Sequence, residues 1–279
     1  MINGDMARKC EFGREKVLAA IREHGGTTLL ATGITGDDAR MALAAVKAGA
    51  RLLEPNHPAV ALARGYKGVN SMHEAEALRH EIPFKEMCKV TKGVRAVVGP
   101  EPYITVGVPG SFTETMPMPF TLEQATQLAL AGADGVHTHK STFEDLKEVI
   151  EICHANGLLV DAYIAHPRDR HLFGIPAEGP DQVSETAKRM QDIGTDFIGL
   201  MTGMSYEGVA AGQIPDIIKE RLEALMKAVS VPTLAEGGIN LNNFRAFKGT
   251  GVNILVVGTS FDDAAKAAVA KGVESYLAK

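Results

Sequence analysis

Two histidines, His137 and His139, stand two residues apart at the end of a short run, residues 135–138. On a strand that spacing points both imidazoles to one face. If the face is the inner one, the pair can bind a divalent cation together with carboxylates from neighbouring strands; otherwise one ring lies in a site and the other bonds a carbonyl at the rim. Two carboxylates interrupt apolar strands. Glu54 closes RLLE, and Asp161 breaks LLVDAYI. A carboxylate in such a place needs a hydrogen-bonding partner, a cation or a function. The candidate metal set is therefore Glu54, His137, His139 and Asp161, with magnesium or a similar divalent ion as the expected cofactor. The candidate acids and bases are Glu54, His57, His139, Asp161, His166 and Glu236. Each has a structural alternative: an ion pair for Glu54, a solvated loop for His166 with Arg168, Arg170 and His171, and turn stabilisation for Glu236. Lys140 is a strand-end lysine, able to form a Schiff base or merely to cap the next loop.

A second constellation lies in residues 232–260. Two buried-strand signals, residues 233–235 and 254–257, each run into glycines: Gly237 and Gly238 after the first, Gly258 with Thr259 and Ser260 after the second. Glycine backbone can approach an anion closely, and a helix start adds unpaired amides. Gly237, Gly238, Gly258, Thr259 and Ser260 are therefore expected to cradle a phosphate. The short helix between the strands is expected to open at Asn240.

These residues need strands that end on one side. Apolar runs at 27–32, 51–54, 135–138, 158–164, 197–201, 233–235 and 254–257 alternate with helical patterns, the parallel-sheet signature. The remaining strand is either 95–98 or 104–108, and 104–108 is preferred. The sum is an α/β chain, a single-domain (β/α)8 TIM barrel over residues 27–279. Residues 1–26 form an N-terminal arm and capping helix: a loose arm to residue 12, then a helix over 14–24 that plugs the barrel bottom. A doubly wound sheet is the fallback, but the first turn, TGITGDD, lacks GxGxxG. Further expectations are a helix over 84–91, a capping box from Ser141 to Glu144, and three long loops. These are 109–120 (a lid or interface segment), the polar 165–180, and the glycine-bearing 202–213.

Composition narrows the function. The 279 residues carry a net charge of −5, so no general nucleic-acid or anionic-membrane surface is indicated. Three cysteines, widely spaced, argue against disulfide staples and structural zinc and fit a reducing cytoplasm. No apolar run reaches the ~20 residues of a spanning helix.

The last third resembles the ribulose-phosphate-binding barrels, most closely hexulose-6-phosphate synthase and keto-gulonate-6-phosphate decarboxylase. Their strand-6 loop is similar to Met201-Thr202-Gly203 followed by Val209-Ala210-Ala211-Gly212. Their GGI…VVG tail is similar to Gly237-Gly238-Ile239 and Val256-Val257-Gly258, and their second-strand end to Glu54-Pro55-Asn56-His57-Pro58. The resemblance implies a phosphate site that also includes Thr202 and Gly203. The family's third-strand D-x-K…D set, which binds magnesium and stabilises an enediolate, is missing from residues 104–111. The expected function is a lyase, of aldolase or decarboxylase type, acting on a phosphorylated sugar or keto acid. A sugar-phosphate isomerase or epimerase, and a non-catalytic barrel that only binds a phosphorylated ligand, are the alternatives. A homo-oligomer is expected, by analogy with barrels of this kind.

Overall fold

The computed structural model describes residues 4–113, 116, 118–169, 171, 173–203 and 214–278. The strands are β1 (Thr28–Ala31), β2 (Leu52–Leu53), β3 (Tyr103–Phe112), β4 (Gly135–His139), β5 (Leu159–Ala165), β6 (Ile175–Pro176), β7 (Phe197–Met201), β8 (Thr233–Glu236) and β9 (Ile254–Val257). All pairings between them are parallel. The order runs β4-β3-β2-β1-β9-β8-β7-β5, and β4 pairs with β5 to close the ring. Without β6, this is a closed barrel of eight strands, a single-domain (β/α)8 TIM barrel. The helices around it are α1 (Gly4–Glu23), α2 (Ile34–Asp37), α3 (Ala39–Lys47), α4 (His57–Ala63), α5 (Met72–Leu78), α6 (Phe84–Val98), α7 (Leu122–Ala131), α8 (Phe143–His154), α9 (Pro180–Asp192), α10 (Asp216–Ala228), α11 (Phe244–Lys248) and α12 (Thr259–Leu277).

Alternation along each strand separates two apolar sets. Leu30, Leu52, Tyr103, Leu159, Phe197, Leu234 and Ile254 fill the interior. Their neighbours, such as Val106, Val136, Val160 and Ile198, pack outward beneath the helices. Bulk inside is balanced by glycine: a Cβ on Gly135 would stand 2.1 Å from the Tyr103 hydroxyl, and one on Gly199 2.3 Å from the Tyr163 ring.

α1 closes the N-terminal end of the barrel. Its Val17, Ala20 and Ile21 join the interior cluster. Arg14 bonds Asp196 at 2.6 Å and Lys16 bonds Asp134 at 2.8 Å, and these aspartates stand just ahead of β7 and β4. Residues 4–12, expected as a loose arm, are the first turns of this helix.

Several local expectations are corrected. Residues 95–98 are the last turn of α6 rather than a strand. Gly99, with φ 77°, ends that helix, and Arg95 ties it down by donating to the carbonyls of Gly132 and Pro102 and to Asp134. The 104–108 run belongs to β3, which continues to Phe112 and so takes in the start of the expected 109–120 loop. Residues 33–36, expected as a turn before a helix over 37–48, form most of the short α2, and the longer helix, α3, starts at Ala39 because Asp38 leaves the helical region and caps it through the amides of Arg40 and Met41. Thr142 rather than Ser141 caps α8, accepting from the Asp145 amide. Asn240 does not cap α11: it forms a turn with Asn242 and Asn243, and α11 begins at Phe244. Within the expected polar loop 165–180, β6 adds an edge pair to β5. The segment 204–213 and Arg170 lie outside the described residues.

Candidate functional site

β4 presents His137 and His139 inward, side by side. His137 donates from Nδ1 to Asp161 Oδ2 at 2.6 Å, and its Nε2 lies 2.9 Å from His139 Nε2. Thr105 on β3 donates to the other Asp161 oxygen at 2.5 Å, so that carboxylate is held from two sides. Glu236, the last residue of β8, brings Oε2 to 3.8 Å from His137 Nε2 and 3.9 Å from His139 Nε2. Glu54, at the end of β2, is fully buried, with Oε1 3.6 Å from His137 Nε2 and held by the Asn56 amide group. Glu54 Oε2 and Glu236 Oε2 are buried oxygens without a hydrogen-bond partner.

The charges sort themselves by position. Burial pushes the His137 imidazole down, but the carboxylates of Glu54, Asp161 and Glu236 around it outweigh that and raise it to about 10. Burial and the neighbouring His137 cation lower His139 to about 3. Burial lifts Glu54 well above the carboxylate range. Glu236 is lowered: burial opposes its charge, but His137 overcomes this. With no cation bound, His137 thus carries two N–H groups and its Nε2–H donates to the neutral His139; a cation held at Nε2 would displace that proton while Asp161 keeps the one on Nδ1.

Two imidazole nitrogens and a carboxylate oxygen, from His137, His139 and Glu236, all lie within 4.8 Å of one another and could together hold a cation. Donors around a divalent ion at ~2.1 Å stand about 3.0–3.4 Å apart, and the separations here, 2.9 to 3.9 Å, bracket that range. The residues fit such an ion. Of the expected ligands, Asp161 is turned away from the three donors and orients His137 from behind. Glu54 Oε1 stands 3.6 Å from His137 Nε2, a second carboxylate oxygen beside the cluster.

Beside this floor opens a cavity of about 560 Å³. Its walls include Gly203, Gly237, Gly238, Gly258, Thr259 and Ser260, which come together from three different strand ends. Glu236 and Asn56 also line it; His137, His139 and Glu54 lie buried behind that wall, so Glu236 is the member of the cluster that reaches the cavity. Thr202 is buried and donates to the carbonyls of Glu236 and Gly237, clamping the turn. Among the described residues the lining holds no lysine or arginine, and it includes Asp262, whose carboxylate accepts from the Ile34 amide at 2.8 Å. The neutral donors available to an anion include backbone amides and the hydroxyls of Thr32, Thr259 and Ser260, and four carboxylates, Glu76, Glu236, Asp262 and Asp263, line the same cavity.

The other expected residues sit apart. His57 is buried at the start of α4, edge-on to Phe112 at 4.6 Å. His166 accepts from the Arg168 amide and lies 3.9 Å from Glu178. Lys140 donates to the Phe112 carbonyl at 3.0 Å. Residues that sequence reasoning passed over complete the mouth. Arg79, buried, holds Glu76 at 3.0 Å and bonds the carbonyls of Thr113 and His171, fastening α5 across the β3 and β5 ends. Met72, His73 and Glu76 of α5 line the cavity. Helical spacing over residues 72–80 foretells α5, but nothing in the sequence places it over the mouth.

The comparisons with known proteins agree on shape. The chain has the TIM-barrel fold. It resembles the tryptophan synthase α-subunit of Pyrococcus furiosus (TM-score 0.60, 17% identity, 84% of this chain and 88% of that one). A protein assigned as a phosphonomutase from Burkholderia cenocepacia aligns at TM-score 0.61 and 17% identity, over 90% of this chain and 95% of that one. An oxaloacetate acetylhydrolase aligns at TM-score 0.60 and 15% identity, over 93% and 84%. In sequence, a stretch of 148 residues is 27% identical to a thiamine-phosphate synthase from Ruminiclostridium cellulolyticum; it covers 53% of this chain and 60% of that relative's length. No family model matches the chain. The described residues include no helix long and apolar enough to cross a membrane.

Proposed function

We propose that this protein is a divalent-cation-dependent carbon–carbon lyase acting on a phosphorylated sugar or keto acid. The observation that carries the reading is the convergence of His137 Nε2, His139 Nε2 and Glu236 Oε2, backed by Asp161, with Glu236 reaching from that cluster into a cavity walled by two glycine turns. A divalent ion held by those three side chains would polarise a substrate carbonyl and stabilise the charge that develops when the adjacent bond breaks.

The chain's own groups do the rest. Asp161 fixes His137 so that Nε2 faces the cavity side. Glu54, whose carboxyl burial raises well above the usual range, stands next to the cluster and would serve as the proton donor to the carbon left behind. The amides of Gly237, Gly238, Gly258, Thr259 and Ser260 hold the phosphate, away from the reacting carbon, and so supply binding that orients it. The partial match to a thiamine-phosphate synthase and the motif resemblance to the hexulose-6-phosphate synthase group both favour a phosphate ester.

The test is metal content together with proton exchange. The full chain, loaded with manganese or magnesium, is incubated in deuterated water with a panel of ketose phosphates and phosphorylated keto acids. Exchange next to the carbonyl, or cleavage products, supports the reading, and cleavage separates a lyase from an isomerase. Binding without exchange or cleavage across the panel would leave the barrel a ligand-binding protein and overturn it.

A further inference from the structure

Asp161 and Tyr163 stand two apart on β5, so both side chains point into the barrel. Asp161 holds His137 from behind. Tyr163 has no part in that bond, yet it is fully buried against the same cluster. Its ring centroid lies 4.9 Å from that of His137 and 5.0 Å from that of His139.

A glycine sets the direction of this ring. The β5–β7 register puts Tyr163 opposite Gly199, and a Cβ on Gly199 would stand 2.3 Å from the ring. The ring therefore lies across β7. The next strand is β8, which ends in Glu236, and the phenol faces the Glu236 carboxylate. The Tyr163 hydroxyl and Glu236 Oε2 are both buried, and neither has a hydrogen bond elsewhere. Packing alone would be served by phenylalanine, since a buried hydroxyl costs stability unless it is bonded. An ionised carboxylate only accepts, and a phenol can donate to it.

We propose that Tyr163 is a positioning residue for Glu236: its hydroxyl donates to that carboxylate and fixes the oxygen that faces the two imidazoles. The inference rests on the cation site proposed above and names what holds its third donor. β5 then supports two of the three donors from behind, His137 through Asp161 and Glu236 through Tyr163, and neither support touches the ion. Ligating carboxylates depend on such bonds for their orientation. Glu236 is also the member of the cluster that reaches the cavity, so the same bond limits how far that part of the wall can swing.

Cobalt titration of the full chain tests this. Tyr163→Phe keeps the ring over Gly199 and removes only the hydroxyl. The variant should bind cobalt 10–100-fold more weakly than wild type, as when other supports of metal ligands are lost. The visible absorption of its bound cobalt should also differ, because a released carboxylate changes the coordination. A ring that only fills space moves neither reading. Equal affinity, or an identical spectrum, overturns the role of Tyr163 and leaves the cation site standing. A wild type that takes up no cobalt removes the site itself, and this role with it.

Discussion

The Nδ1–H of His137 points at Asp161 Oδ2 from 2.6 Å, with Thr105 holding the other oxygen of that carboxylate. Sequence places the two residues 24 positions apart; the β4–β5 register puts them directly opposite. A ligating imidazole held from behind by a carboxylate has a fixed ring orientation and a more basic free nitrogen.

Asp161→Asn should therefore disturb the metal site without touching it. The Thr105 hydroxyl keeps its acceptor, and the new amide N–H faces His137 Nδ1. The ring must then accept there and carry its proton on Nε2, the ligand atom. A 10–100-fold loss of manganese affinity is expected, as for other carboxylates that support metal-bound histidines. Isothermal titration measures it, and unchanged affinity would place the ion elsewhere.

Metal binding should also be visible as stability. A ligand at one hundred times its Kd adds about 2.7 kcal/mol to the folded state, or roughly 5–10 °C in Tm for a chain of this size. His139→Ala removes one of three donors and should abolish most of that rise. A melting series with and without manganese or cobalt checks it.

Gly237 and Gly238 have φ of 107° and 74°, a region that side chains avoid. Gly238→Ala strains the turn that carries the cradle. Binding of a phosphorylated ligand should fall tenfold or more, whereas the unphosphorylated analogue should bind as before. Competition measurements with inorganic phosphate would show the same loss; equal weakening of both ligands would show that the turn only shapes the pocket.

Asp37 gives a pH dependence away from the metal cluster. Burial, reinforced by nearby Asp262, raises its carboxyl well above the ordinary 3.8, although the Asn56 amide donates to it. The folded chain then holds a proton that the unfolded chain has lost. Between 3.8 and the raised value, stability should fall as pH rises. Asp37→Asn keeps an acceptor for the Asn56 amide and has no charge to bury. It should melt higher than wild type at pH 8 and lose that advantage towards pH 4. A parallel slope for both proteins would contradict this.

Much of the barrel was legible because its signals are local. Strand-helix alternation, the same-face spacing of His137 and His139, and glycine turns at strand ends need only short stretches of chain. Residues 95–98 misled because Arg-Ala-Val-Val reads as a strand by propensity, while the bonds from Arg95 to Gly132, Pro102 and Asp134 hold it as a helix end. The donor set was only partly legible. Glu54, Asp161 and Glu236 are equally conspicuous as carboxylates at or within apolar strands. Which one faces His137 Nε2 and which faces Nδ1 depends on strand register and tilt across the barrel. Residues 72–80 read as a helix, but the placement of α5 and Arg79 at the mouth depends on Arg79's bonds to the Thr113 and His171 carbonyls, which local spacing does not reveal.

Glu236 and Gly237 are consecutive residues. In the proposed function one would belong to the cation site and the other to the anion cradle, and a single peptide unit, about 3.8 Å between Cα atoms, separates them. No hinge can open between the two. In the proposed reaction the pair is a gauge: it sets how many bonds lie between the phosphate and the reacting carbonyl. A homologue one carbon longer would still find the cradle, but its carbonyl would overshoot the floor, so discrimination between chain lengths should appear in kcat more than in KM.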